Sequence, residues 1–192
     1  MPDATSLLDQ PVRAFEQLIT AVRADQWTAS TPCTEWNVRQ LVNHVVRGNR
    51  LFASALRGEP SPPAEPSDIL GDDAVAAYRA ASAEMLQALG QPGVMERMVT
   101  VPFGTVPVPV AVHLRNTELL VHGWDLARAT RQPTRFPEEL AEQELHFSRG
   151  ALGQIPPGRT PFGPSQPAPE DAPAIDRLAA LLGRQVGESM SR

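Results

Sequence analysis

A mostly α-helical fold, built as a four-helix bundle, is what this sequence predicts, and three observations carry it. Apolar residues recur at helical spacing over four long stretches. Helix-entry and helix-exit residues bracket those stretches. Only one short region, around residues 95–108, has the β-rich pattern of paired strands.

The first helix is expected over residues 5–26, where Leu7, Leu8, Val12, Phe15, Leu18, Ile19 and Val22 form the apolar stripe. Pro11 falls near its opening turns and is a candidate for the true start. A turn follows through Ser30, Thr31, Pro32, Cys33 and Thr34. Asn37 and Gln40 then have the spacing of a capping box, and Trp36 and Leu41 that of a hydrophobic staple, so the second helix should run from there to Arg57 and Gly58. Val38, Leu41, Val42, Val45, Val46, Phe52 and Leu56 carry its core face, with His44 in their midst.

Residues 58–71 hold four prolines and read as a loop. Asp72 is the expected cap of a third helix, which stops at Gly90. Residues 95–101 and 103–108 suggest a small β-hairpin around a Gly turn, with Pro107 confined to an edge. A fourth helix should start near Pro109 or Val110 and end around Thr130, and a fifth, opened by Pro137, should reach about Gln154. A second Pro/Gly-rich loop over 155–170 leads to a short last helix over 173–183. The prolines separate elements rather than domains, so residues 1–192 read as a single domain.

Bulk properties narrow the function. Hydrophobic residues make up 42% and charged residues 20%, as in ordinary globular chains. There is no apolar run of about 18 residues, which argues against a membrane span. Met1-Pro2-Asp3-Ala4 lacks the basic start of a signal peptide, so a cytoplasmic location is expected. The single cysteine, Cys33, suits a reducing compartment and reads as a small half-buried residue. The net charge is −5 and no basic cluster exists, which argues against a nucleic-acid partner. All 17 basic residues are Arg.

Chemistry concentrates in the fourth helix. Glu118, His122 and Asp125 stand at i, i+4 and i+7, and a turn of about 100° per residue puts them on one stripe. A Glu and a His one turn apart can grip a divalent metal. They can equally form a helix-stabilising pair worth a few tenths of a kcal/mol. His44 is open to two readings, a metal ligand or a core histidine with a satisfied hydrogen bond. His113 lies about 140° around the helix from Glu118 and cannot share its face, and His146 stands in a polar stretch expected to be solvated. Trp36 and Trp124 read as core aromatics. Asn43 and Arg47 flank His44 as candidates for a pocket mouth, and Arg115 is placed to pair with Glu118.

Two blocks of sequence point further. Thr31-Pro32-Cys33-Thr34-Glu35-Trp36-Asn37-Val38-Arg39-Gln40-Leu41-Val42-Asn43-His44, with Glu118, His122-Gly123-Trp124-Asp125-Leu126 downstream, resembles the DinB/YfiT-like metal-binding superfamily. Within it, the chain is most similar to stand-alone relatives of the metal-binding domain of the mycothiol-dependent maleylpyruvate isomerases. Phe162-Gly163-Pro164 and Ala172-Pro173-Ala174-Ile175-Asp176-Arg177-Leu178 resemble their tails, so the likeness spans nearly the whole chain.

The resemblance implies a bundle of DinB/YfiT type holding a divalent metal on His44, Glu118 and His122. Zinc is the expected ion, with Ni2+ or Fe2+ as alternatives. Asp125 would accept from an imidazole of the site and fix it. The resemblance also implies a low-molecular-weight thiol of the mycothiol type as cosubstrate, activated by the metal for S-transfer to an electrophile or for isomerisation. The isomerase carries a further C-terminal domain, whereas this chain ends soon after the bundle, so a transferase is expected in preference to maleylpyruvate isomerisation. A non-catalytic metal or small-molecule binding module, in stress response or sensing, is the alternative. An apolar stripe left open would suit a homodimer.

Overall fold

A computed structural model describes residues 4–59, 67–102, 104–153 and 162–187. The expected loop positions 60–66 and 155–161, the helix end at Gln154, the turn residue Phe103 and Met1 to Asp3 lie outside the described residues. Helix α1 spans Ser6–Thr20. It stops six residues before its expected end because Arg23 is extended and a 3-10 turn, Ala24–Gln26, follows. The Gln26 carboxamide accepts from the Arg23 amide at 3.0 Å and donates to the Thr130 carbonyl at 2.9 Å. A buried side chain with two backbone partners outweighs continuation of the helix. Pro11 sits inside α1 rather than at its start. Leu7, whose carbonyl would otherwise accept the amide that Pro11 lacks, is exposed.

Helix α2, Val38–Arg57, has the expected capping box: the Gln40 amide donates to Asn37 Oδ1 at 2.9 Å, and the Asn37 amide donates to Gln40 Oε1 at 3.0 Å. Helix α3, Ala74–Leu89, is capped by Asp73 and not by Asp72. Asp73 has the extended backbone a cap needs, and its Oδ1 accepts from the Ala76 amide at 2.9 Å. Strands β1, Met98–Val101, and β2, Gly104–Pro107, pair antiparallel, with Val99 opposite Val106 and Pro107 opposite Met98 at the ladder's end. Helix α4, Val108–Thr130, follows at once, with Pro109 in its first turn. Helices α5, Glu138–Leu152, and α6, Ala174–Leu181, complete the chain.

The fold is mostly helical, with the expected small hairpin and short C-terminal helix. Two apolar clusters meet on α4. One joins α1, α2 and α3 to one side of it through residues such as Phe15, Leu41, Val45, Tyr78, Met85 and Leu119. The other joins α5 and α6 to its opposite side through Leu120, Trp124, Leu145, Ile175 and Leu178. Helix α4 is therefore a central helix rather than an amphipathic one: from Arg115 to Ala127 every residue but Glu118 is buried. Each polar residue in that span must find a partner inside the protein.

Two partnerships lie on the α5 side. Glu144 is fully buried and accepts from His113 Nδ1 at 3.0 Å and Asn116 Nδ2 at 3.2 Å, while Thr117 and Ser148 hydroxyls lie 3.4 Å apart. The polar stretch around His146 is thus split, with His146 exposed as expected and Glu144 and Ser148 turned inward. Large hydrophobic residues left exposed among the described ones are Leu7, Leu51 and Met98. Among the described residues, no helix is long and apolar enough to cross a membrane.

Candidate metal centre

Helices α2 and α4 bring His44, Glu118 and His122 together. One ligating atom from each lies within 4.8 Å of the others, and His44 Nε2 is 3.8 Å from Glu118 Oε1. That separation is less than twice a zinc–ligand bond of about 2.1 Å. Seventy-four residues separate His44 from Glu118 in the chain, so only the packing of α2 on α4 joins them.

Each of the three side chains is oriented by a neighbour. Arg115, only 3% exposed, donates from Nη1 to Glu118 Oε2 at 2.6 Å and from Nη2 to the Val45 carbonyl at 3.4 Å. Glu118 thereby has one oxygen tied down and the other turned to His44. The expected Arg115–Glu118 pair is present, and it spans both helices rather than only one helical turn. Arg115 reaches Val45 across Gly48, where an added Cβ would lie 2.2 Å from Nη1. Glycine at this position leaves room for the guanidinium against the α2 backbone.

His122 is oriented from its other ring nitrogen. Nδ1 lies 3.2 Å from Asp125 Oδ2, which leaves Nε2 for the site if Nδ1 carries the proton. Asp125 is fully buried and accepts two bonds from Arg184, Nη2 at 2.9 Å and Nε at 3.3 Å. Arg184 comes from the segment after α6, where Gly183 has φ +88 and its Cα passes close to Gly163. A side chain at Gly183 would meet the Gly163 backbone at 2.9 Å, so this turn back toward Asp125 requires glycine.

His44 is held by an aromatic face. Trp36 stacks on it with ring centroids 4.2 Å apart and an interplanar angle of 27°, and lies 5.6 Å from the His122 ring. Trp36 is consequently a half-buried wall of the site as well as a core aromatic, whereas Trp124 is buried and donates to Asp176 at 2.6 Å. The Thr31 hydroxyl fixes the loop carrying Trp36, lying 2.7 Å from the Trp36 carbonyl and 2.9 Å from that of Cys33.

Two of the three donors, Glu118 and His122, are biased toward the form that cation binding needs. Burial pushes the Glu118 carboxyl up, but the Arg115 guanidinium, with His44 and His122, outweighs it and holds the group at about 2. Burial lowers the His122 pKa against the opposing pull of Asp125, which favours neutral imidazole. Two imidazoles and a carboxylate form a set that suits zinc with a coordination position to spare. Cys33 lies within 4.8 Å of His122 and Asp125, and burial pushes its thiol up, away from the reactive thiolate.

Beside the cluster opens a cavity of about 410 Å3 between α2, α4 and the hairpin, lined at one end by His44, Arg47, Arg115 and Glu118. Asn43 does not reach it. Its carboxamide is spent on the Ser67 carbonyl and the Ile69 amide, at 2.9 and 2.8 Å, which ties down the loop ahead of α3. Arg184, Gly48 and the inward turn of Trp36 are the site features that sequence spacing missed. Arg184 acts on a carboxylate 59 residues earlier, and no periodicity links them.

The profile of the mycothiol maleylpyruvate isomerase N-terminal domain matches residues 8–127. Two uncharacterised proteins from strains of Mycobacterium tuberculosis are each 41% identical over 175 residues, covering 90% of this chain and 93% of theirs. Crystal structures of the mycothiol-dependent maleylpyruvate isomerase and of a His-to-Ala mutant of it have a similar fold. Their TM-scores are 0.59 and 0.60 at 18% and 15% identity, covering 76% of this chain and 68% of theirs.

Proposed function

The chain belongs to the family of the mycothiol maleylpyruvate isomerase N-terminal domain, and on that premise we propose that it is a divalent-metal-dependent enzyme acting with a low-molecular-weight thiol of the mycothiol type. The observation that carries the reading is the His44–Glu118–His122 cluster at the end of a cavity of small-molecule size. The solved isomerase of similar fold is mycothiol-dependent. The reaction is S-transfer of the thiol to an electrophile, or isomerisation through its addition, carried out in the cytoplasm by residues 1–192 as one domain.

His44, Glu118 and His122 would hold the cation, with zinc the ion of choice. A cation there supplies Lewis acidity that lowers the pKa of a thiol and favours thiolate near neutral pH. The chain's own residues do the positioning. Arg115 keeps Glu118 ionised and turned toward His44. Asp125, itself clamped by Arg184, keeps the proton on His122 Nδ1. Trp36 covers the site on one side, and the cavity takes the reacting partner on the other. Cys33 has no part in this scheme, and its raised pKa agrees with that.

Purified protein should carry about one zinc by elemental analysis after reconstitution. His44→Ala, at a half-exposed ring that the core can spare, should lose it with the helical circular-dichroism spectrum intact. Unchanged metal content in that variant would sink the site. Mycothiol should be consumed together with an electrophile only by the metal-loaded protein. Stoichiometric metal without turnover across a panel of electrophiles would leave the non-catalytic binding module in place of the enzyme.

A further inference from the structure

The cavity beside the cluster has two chemically distinct ends. Its charged groups gather at one, where His44 and Glu118 face each other, Arg47 lines the wall and Arg115 is already committed to Glu118 and Val45. Apart from Thr100, the rest of its wall is hydrocarbon: Leu51, Phe52 and Ala55 from α2, Ala111 and Leu114 from α4, and Val101 from β1. Leu51 is one of the few large apolar residues left 37% exposed in the described chain, and it stands on this wall. An aliphatic side chain kept at a cavity wall in contact with water is stabilised when an apolar ligand displaces that water.

The hairpin has a reason to be there on this account. Helices α2 and α4 alone would leave the site open along one side, and Thr100, Val101 and Pro102 close it. A dicarboxylate could set one carboxylate at the charged end beside Arg47, but its second carboxylate would meet mostly carbon, and burying a charge without a partner is costly.

We propose that this compartment binds the acceptor of the reaction, and that the acceptor is an uncharged, apolar small molecule rather than a dicarboxylate. The proposal rests on the thiol-enzyme reading above for the word acceptor, and its test is built to fail separately from that reading. Selectivity then lies with Leu51, Ala55 and Val101, which touch the apolar portion and have no part in holding the cation.

The probe is N-phenylsuccinimide, an unreactive uncharged analogue of an alkene electrophile, compared with succinate as the dianion, each titrated into zinc-loaded full-length protein by ligand-observed NMR. The wild-type protein should bind N-phenylsuccinimide and bind succinate at least tenfold more weakly. Leu51→Asp, at an exposed position, and Ala55→Phe, which fills the space, should each weaken N-phenylsuccinimide about tenfold or more, with zinc content unchanged. Preference for succinate would overturn the proposal, as would N-phenylsuccinimide binding that neither variant alters, or binding of neither probe. If zinc fails to bind but N-phenylsuccinimide still does and the variants weaken it, the metal reading falls and the apolar compartment stands. Zinc bound at His44, Glu118 and His122 with no apolar selectivity gives the reverse.

Discussion

Adding one methyl group at Gly48 should reverse its usual effect on a helix. In an exposed helix interior, Gly→Ala stabilises by about 0.8–1 kcal/mol through backbone propensity. Here the new Cβ would stand 2.2 Å from Arg115 Nη1, 3.1 Å from Cζ and 3.3 Å from Nη2. Reaching an ordinary contact of about 3.4 Å means a retreat of the guanidinium by about 1.2 Å, measured from that 2.2 Å approach. Neither the 2.6 Å bond to Glu118 nor the 3.4 Å bond to the Val45 carbonyl survives such a shift. A hydrogen bond between charged groups contributes about 1.5–3 kcal/mol, and Arg115 is too buried for water to replace it fully.

After subtracting the propensity gain, Gly48→Ala should destabilise by about 0.5–2 kcal/mol, a drop in Tm of roughly 1–8 °C for a domain of this size. The assay is thermal unfolding of chelated, metal-free protein, so that loss of a cation does not enter, with a double-mutant cycle against Arg115→Ala. In the Arg115→Ala background the same methyl should stabilise by about 1 kcal/mol. If Gly48→Ala raises Tm equally in both backgrounds, Arg115 is not held against α2 as described, and the account of Glu118 orientation fails with it.

Asp125→Asn should weaken zinc binding by about 10–100-fold, since the amide no longer fixes the His122 tautomer; competition with a chromophoric chelator measures it, and unchanged affinity would detach Asp125 from the site. Arg184→Met leaves a fully buried carboxylate without its cation and should cost about 3–5 kcal/mol in urea unfolding, whereas a loss below about 1 kcal/mol would mean that the C-terminal turn does not clamp Asp125. The bond to Glu144 raises the His113 pKa above its usual 6.5 despite opposing burial, so the folded protein holds that proton more tightly. The pair's contribution is fully present below about pH 6.5 and is lost as pH rises through the raised value. The gap in unfolding free energy between wild type and His113→Gln should therefore be wide at pH 5.5 and narrow at pH 9, and a gap that does not change would refute the pairing. His122 works in the opposite sense, because burial lowers its pKa and stability falls as pH drops below 6.5.

Local rules and long-range packing divided the determination of this protein between them. The apolar spacing of α2 and its Asn37–Gln40 box were legible because helix period and capping act over a few residues. The hairpin and the termination of α3 at Gly90 were legible for the same reason. The choice of Asp73 over Asp72 was not, since adjacent carboxylates offer the same chemistry and only backbone geometry selects one. Nor was the end of α1, where the buried Gln26 bonds the far end of α4, 104 residues away.

The candidate site divides in the same way. Glu118, His122 and Asp125 share one helix, so spacing alone marked them as a group, and His44 was attached through its motif. The sequence by itself determined which residue types could grip a cation and on which helix face they stand. Tertiary structure decided what each donor does. Burying α4 on both sides presses its polar side chains to find partners, and each does, although Arg115 Nε and Asn116 Oδ1 are left unbonded. That condition sets Arg115 on Glu118, Asp125 on His122 and Arg184 on Asp125. It is imposed by the surroundings of a helix, which no pattern along that helix contains.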